Sequence, residues 1–497
     1  MHSKARVFCL LLLAFGIAAP AFAKGIAEAD LRAHIAVLAS DEFEGREPGT
    51  RGEAKTLDYV AKAWAKYRLK PGGRDGSWFD PVQMIQRGPG QATYRLVAKG
   101  RDLRIASNDA IFIGREEHYQ KKAVPLYFGG YGIKSDGSVI DGVAGKAVVI
   151  LFDLPEFGPD DMRNIRARRD ALVKAGAEAV IIVADSQGNW AAMRRQILSR
   201  PIGLETREKR APLEVAINSD FAVGMVTAAG GDWDKLRHSA KSGSYKGEAL
   251  GIDADFDVTT DIYRFKSYNV VGKIPGKKAD SGAVFFMAHW DHLGICRPAD
   301  APDRICNGAV DNASGVAVLT EVARALAAQR YDRDIYFIAT TGEESGLLGA
   351  YTLADNPPVP LDKVVVAFNL DTVAIAPRGA KVSIMARGVH PALDIAIDGL
   401  AEKLGRRPQL STDANIYLQR QDGWALEQQG VPALLVGGAF ADLNLMQKFM
   451  GSDYHGPDDE LTDRTELGGA AEDADLHVAL GKYFASTKKY PGTKAGG

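Results

Sequence analysis

The sequence predicts an α/β fold, a mainly parallel mixed sheet flanked by helices, with a strand-rich segment inserted into it. Three observations carry that expectation. From about Tyr263 to Tyr490, apolar strand-like runs alternate with helical stretches, the pattern of a parallel sheet covered on both faces. Between about Thr93 and Asp255 the texture changes to short apolar runs separated by turns such as SDGS and DGVAGK. The chain has 497 residues, of which 46% are apolar, too many for one ordinary core and about right for two or three domains.

The elements follow in order. Lys4 and Arg6 precede an apolar run from Val7 to about Ala19, and Ala21-Phe22-Ala23 supplies a small-x-small site. This is the pattern of a cleaved signal peptide over residues 1–23. Cys9 lies inside the apolar run and away from the cleavage point, which argues against a lipid anchor. The mature chain is expected to begin near Lys24, in a periplasmic or secreted setting. No later stretch is long and apolar enough to span a membrane. Residues 24–92 form an N-terminal segment. Its helices are marked by Leu31, Ile35 and Leu38, and by Tyr59, Ala63 and Trp64, around the loop DEFEGREPGTRGE. In the insertion, 93–255, the runs AVPLYF, KAVVILF and AEAVIIVAD read as strands, with one helix from about Met162 to Ala175. Residues 256–490 carry the strands AVFFMAHW, DIYFIATT, VVVAFNLD and PALLVGG. Helices are expected over Val316–Ala328, Glu344–Leu353 and about Pro391–Leu404. Residues 491–497 read as a flexible tail.

Lys and Arg number 61 against 63 Asp and Glu, a balance that gives no sign of a nucleic-acid partner. Beyond Cys9, the only cysteines are Cys296 and Cys306, in one loop of a chain read as exported. A disulfide between them is the favoured reading, with metal binding by the pair the weaker alternative.

In sheets of this class, ligands gather beyond the carboxyl ends of the strands. After AVFFMA come His289, Trp290, Asp291 and His292. Asp311-Asn312-Ala313-Ser314-Gly315 precedes the next helix. Glu343 and Glu344 follow DIYFIATT, Asp371 follows VVVAFNL, and Tyr454-His455-Gly456-Pro457-Asp458 lies near the C-terminus. Singly, each has a structural explanation as a cap, a turn or a satisfied histidine. Together they form an acidic cluster that would repel itself unless divalent cations occupied it. Two His, two Asp and one Glu sum to minus three, and two zinc ions with one bridging hydroxide bring that to zero. Imidazole and carboxylate are suitable zinc donors. One further carboxylate must shuttle the proton, and the pair Glu343-Glu344 offers one for each task.

The set HWDHLG, DNASG, GEESGLLG, NLDT and YHGPDD resembles the co-catalytic zinc aminopeptidases, a family that includes glutamate carboxypeptidases, glutaminyl cyclases and transferrin-receptor relatives. The resemblance covers about Tyr263 to Tyr490 and HIAVLASDEFEGREPGTRGE. The insertion resembles a protease-associated domain. By position, the resemblance implies that His289 and Asp371 bind a first zinc, that Glu344 and His455 bind a second, and that Asp311 bridges them. Glu343 would be the general base and then the acid. Asp291 would orient His289. His292 is expected to make a structural hydrogen bond. Where relatives often carry Ser-Asp-His, this chain reads Gln421-Asp422-Gly423, so the substrate pocket departs from the pattern. Tyr417 is a weak candidate for oxyanion stabilisation.

The expected activity is removal of N-terminal residues from peptides. Two alternatives remain open. A glutamate-type carboxypeptidase would clamp a carboxylate with arginines, for which Arg378, Arg387 and Arg420 are available. An inactive receptor-like protein is disfavoured because every ligand position is filled. A glutaminyl cyclase is less expected with this insertion, and no HExxH or GxSxG motif competes.

Overall fold

The computed structural model describes residues 25–105, 109–207 and 210–492. The expected signal peptide, Lys24 and most of the expected tail lie outside the described residues. No helix among the described residues is long and apolar enough to cross a membrane.

The four C-terminal strand runs form the parallel centre of one sheet. Ala283–His289 pairs in parallel with Asp334–Thr340 on one side and Val364–Asn369 on the other, and Val364–Asn369 pairs in parallel with Ala433–Gly437. All seven residues of AVFFMAH are buried, which is why the run is continuously apolar and does not alternate. The register sets the position of the site. His289 lies opposite Thr340 and Met287 opposite Asn369, so the residues that follow each strand emerge at one edge.

Helices cover both faces. One face carries a core that includes Phe286, Phe337 and Phe368. The helices Glu28–Leu38, Arg51–Lys66, Ser314–Ala327 and Gly468–Phe484 pack there. The Val316, Leu319, Val322, Ala323 and Leu326 stripe lies fully inside this core. The other face packs against Leu348–Asp355 and Gly423–Glu427 through a smaller cluster around Phe285, Met287 and Ile338.

Two long strands join this region to the insertion. Phe79–Ala98 and Glu248–Ile274 run antiparallel, from Phe79 opposite Val270 to Ala98 opposite Ile252. The C-terminal end of Glu248–Ile274 pairs with Asp334–Thr340, and its N-terminal part pairs with His118–Phe128. Both expected domain boundaries, 92/93 and 255/256, therefore fall inside strands of one continuous sheet. The insertion still has its own apolar core around Leu126, Val149, Ile181 and Val215.

The insertion is richer in helix than its sequence texture suggested. Its parallel strands, His118–Phe128, Ala147–Leu151, Ala179–Ala184 and Leu213–Asn218, are accompanied by four helices of eight or more residues: Ile165–Lys174, Gln187–Leu198, Ser219–Ala228 and Trp233–Ala240. Gln187–Leu198 buries only Trp190 and Met193, too sparse a stripe to read as a period. The readable signals were the caps. Ser186, Asn218 and Asp232 each accept a backbone N–H three residues on, from Asn189, Phe221 and Lys235.

Cys296 and Cys306 are disulfide-bonded. The bridge closes the small hairpin Gly294–Ile295/Ile305–Cys306, which packs on the N-terminal segment. Gly45, at φ 65°, lies so close that a Cβ would come within 2.4 Å of the Cys306 carbonyl oxygen. Closing a loop of ten residues restricts the unfolded chain by about 2–3 kcal/mol. A Cys296→Ser/Cys306→Ser variant should lose stability of that size in a denaturant titration. An unchanged midpoint at unchanged slope would show that the bridge contributes nothing.

Candidate metal centre

The Asp311 segment is held from three directions. Asp459 accepts the backbone N–H groups of Val310 and Asp311 at 2.8 and 2.9 Å, one on each carboxylate oxygen. Asn312 donates to the Leu370 carbonyl at 2.9 Å and accepts from Gly315 and Thr372 backbone N–H groups, tying this loop to the one that carries Asp371. The Asp311–Asn312 peptide is cis. Arg46, fully buried, donates from Nε to the Trp290 carbonyl at 2.8 Å, from Nη1 to the Leu38 and Asn307 carbonyls, and from Nη2 to Gly308. It thus fastens the N-terminal segment to the loops after His289 and before Asp311. Burial lowers its pKa to about 10, against the pull of Asp459, Asp291, Asp311 and Glu344, so it is a cation at neutral pH.

These loops bring the expected ligands together. His289 Nε2 lies 3.2 Å from Asp311 Oδ1 and 3.4 Å from Asp371 Oδ1. His455 Nε2 lies 3.4 Å from Asp311 Oδ2 and 2.8 Å from Glu344 Oε2. The two oxygens of Asp311 therefore face different histidines, each accompanied by one further carboxylate. His289, Asp311 and Glu344 offer ligand atoms within 4.8 Å of one another. His455 is 36% exposed, whereas the His289, Asp311 and Glu344 side chains are at most 6% exposed. The cluster is thus reached from the His455 side.

Glu343 and Glu344 occupy a turn. The expected helix over Glu344–Leu353 starts only at Leu348, because Gly342 and Leu347 adopt left-handed conformations at φ 65° and 60°. The turn is closed by Gly346 and Leu347 N–H groups donating to the Glu343 carbonyl. Asp291 Oδ1 accepts the Glu343 backbone N–H at 3.2 Å. Toward His289 the geometry differs from a simple carboxylate–imidazole pair. His289 Nδ1 meets the Asp291 main-chain carbonyl at 3.1 Å, and the carboxylate is 3.9 Å away. His292 Nδ1 lies 2.6 Å from Glu344 Oε1.

The electrostatics favour a cation. Burial opposes charging His289, yet Asp371 and Glu343 hold its pKa well above the ordinary imidazole value. Burial likewise opposes charging His455, but Asp311 and Glu344 raise it to about 10. Burial pushes Glu343 well above the carboxylate range, with Asp371, Glu344 and Asp422 adding to the effect. Burial raises Asp291 to about 7, and its Oδ2 has no hydrogen-bond partner among the described residues. Donors of this chemistry, imidazole and carboxylate without thiolate, fit zinc.

In the stretch where Gln421 and Gly423 depart from the expected pattern and Asp422 keeps to it, Gln421 and Asp422 are buried. Gln421 Oε1 accepts the Gly423 N–H, and Asp422 is hydrogen-bonded to Thr340. The Tyr417 ring packs on Phe440. Asp459, Arg46 and Asn312 had no assigned role from sequence. The second Asp of GPDD, beside Asp458, was the readable signal for Asp459.

Residues 269–476, the segment that carries this cluster, match the model of Peptidase family M28. Among curated relatives, Aminopeptidase YwaD of Bacillus subtilis is 37% identical over 109 residues, 22% of this chain and 22% of that protein. A probable zinc metalloprotease of Pyrenophora teres is 46% identical over 115 residues, 22% of this chain and 24% of that protein. The matched stretch thus spans under a quarter of either relative. Among solved structures, an aminopeptidase from Aneurinibacillus sp. strain AM-1 superposes with a TM-score of 0.53 at 19% identity, covering 93% of this chain and 94% of that one. That likeness shows a shared fold.

Proposed function

We propose that this chain is an exported aminopeptidase holding two zinc ions, with His289 and Asp371 on the first, Glu344 and His455 on the second, and Asp311 between them. The observation that carries the reading is the division of Asp311: Oδ1 faces His289, and Oδ2 faces His455. A carboxylate divided in this way suits a bridge. When bound, zinc supplies Lewis acidity toward the scissile carbonyl and makes a water a better nucleophile at neutral pH.

The chain's own groups handle the proton. Glu343 is held by its main chain on Asp291. Its carboxylate takes the proton as the water oxygen adds to the carbonyl carbon. It returns that proton to the nitrogen as the C–N bond breaks, and a free amine leaves. A raised affinity for protons, produced here by burial and by Asp371, Glu344 and Asp422, suits both tasks.

The carboxypeptidase alternative draws less support. Arg387 is bound by both oxygens of Asp398 at 2.9 and 2.7 Å, and Arg378 pairs with Glu28 and Glu472. Two of the three guanidiniums available to clamp a C-terminal carboxylate are therefore engaged elsewhere. Residues 93–255, with their separate core, suit a protease-associated module that steers longer substrates.

A kinetic screen of aminoacyl substrates against N-blocked and C-blocked peptides tests the exo-direction. Cleavage confined to free N-termini, lost on chelation and restored by zinc, is the expected outcome. Cleavage of N-blocked peptides would reject it. N-terminal sequencing of the exported protein should begin at Lys24, and a mature form that retains Met1 would end the export reading.

A further inference from the structure

We propose that His292 is a positioning residue of the metal centre, holding one oxygen of Glu344 so that the other alone is presented to His455 and Asp311. The proposal rests on the zinc-binding reading above.

Glu344 has two oxygens with separate partners. Oε1 is 2.6 Å from His292 Nδ1, and Oε2 is 2.8 Å from His455 Nε2. A carboxylate only accepts, so the proton of this bond sits on Nδ1 of His292. The imidazole is completely buried, and its Nε2 has no hydrogen-bond partner among the described residues. The ring cannot easily turn to exchange these roles. Gly308, at φ 56°, lies against it so closely that a Cβ there would fall 2.6 Å from the ring carbons Cγ and Cδ2. The ring is therefore wedged between the loop leading to Asp311 and the carboxylate it holds.

Pinning Oε1 removes the rotation by which a glutamate switches between one-oxygen and two-oxygen coordination. The division of labour within His289-Trp290-Asp291-His292 then becomes clear. His289 faces the centre directly. Asp291 fixes Glu343 through its backbone N–H, and His292 fixes Glu344 through its side chain. One strand end thereby sets the general base and a ligand separately, though the two glutamates are adjacent in sequence.

Side-chain replacements separate this role from packing. Asparagine places its amide N–H where Nδ1 stands and keeps the donor to Glu344. Glutamine places its amide nearer the Nε2 position, and leucine has no donor. Zinc content and zinc affinity of the full mature chain would be measured by elemental analysis and by competition with a chromophoric chelator. Groups that orient ligands typically contribute 10–100-fold to metal affinity. His292→Leu and His292→Gln should therefore weaken binding of one of the two zinc ions by about 10–100-fold, while His292→Asn stays near the native value. Thermal unfolding of the zinc-free variants checks that each is folded. If leucine prevents folding, the glutamine and asparagine pair decides. Native affinity in both His292→Leu and His292→Gln would overturn the proposal. So would asparagine as weak as leucine, which would make the imidazole itself the necessary group. A native chain that binds no zinc would instead overturn the underlying functional reading, so the two failures are distinguishable.

Discussion

Asp311→Ala is expected to abolish peptidase activity and to empty the centre of zinc. Asp311 is the one group whose two oxygens serve both halves of the cluster, 3.2 Å from His289 and 3.4 Å from His455. Burial works against its charge, but hydrogen bonds from the two histidines hold its pKa far below the ordinary carboxylate range. The two histidines therefore favour its anionic form. On the two-zinc reading proposed above, removing Asp311 would take a ligand from each ion at once, whereas loss of Asp371 or Glu344 would take a ligand from one. Elemental analysis after dialysis should find almost no zinc in Asp311→Ala, and Asp371→Ala should retain more. Asp311→Asn is the informative control. It keeps the volume and one carbonyl oxygen but not the charge, so it should fall between the two in metal content. Native zinc content in Asp311→Ala would reject the bridging role.

The difference between what could and could not be read from the sequence follows from how each residue acts. The strands AVFFMAH and VVVAFN were legible because burial on both faces demands an unbroken apolar run. Once they are parallel and in register, His289, Glu343 and Asp371 reach one edge together. The start of the helix after Glu343 was misplaced by four residues. Its turn depends on left-handed conformations at Gly342 and Leu347, and a leucine gives no hint of one. Arg46 and Asp459 act on backbone atoms far away in sequence. The bond from Arg46 to Trp290 spans 244 residues, and that from Val310 to Asp459 spans 149. Backbone partners leave no side-chain signature, so no spacing rule pairs either residue with its partners, although the second Asp of GPDD marked Asp459 itself. His292 was legible only as a buried polar group needing a partner, because its role depends on which oxygen of Glu344 it meets.

Glu343→Gln is expected to lower kcat by at least about a hundredfold while leaving zinc content nearly unchanged. Glu343 and Glu344 are adjacent, yet the structure treats them differently. Glu344 is hydrogen-bonded through both oxygens, to His292 and His455, and those bonds keep its pKa low although burial would raise it. Glu343 is anchored through its main chain on Asp291, and burial with neighbouring negative charge raises its carboxyl. On the proposed reading, one carboxylate would hold a cation and the other a proton. Glutamine at 343 keeps the shape and the backbone anchor but cannot carry the proton from water to the leaving amine. General acid–base groups contribute typically 10²–10⁴-fold, and the loss should appear in kcat with little change in KM. Glu344→Gln should instead lose zinc, with activity partly recovered at high added metal. Loss of zinc in Glu343→Gln with retention in Glu344→Gln would exchange the two roles. A near-native kcat in Glu343→Gln with full zinc would remove Glu343 from the chemistry, leaving no other carboxylate in the same turn free of a ligand's duty.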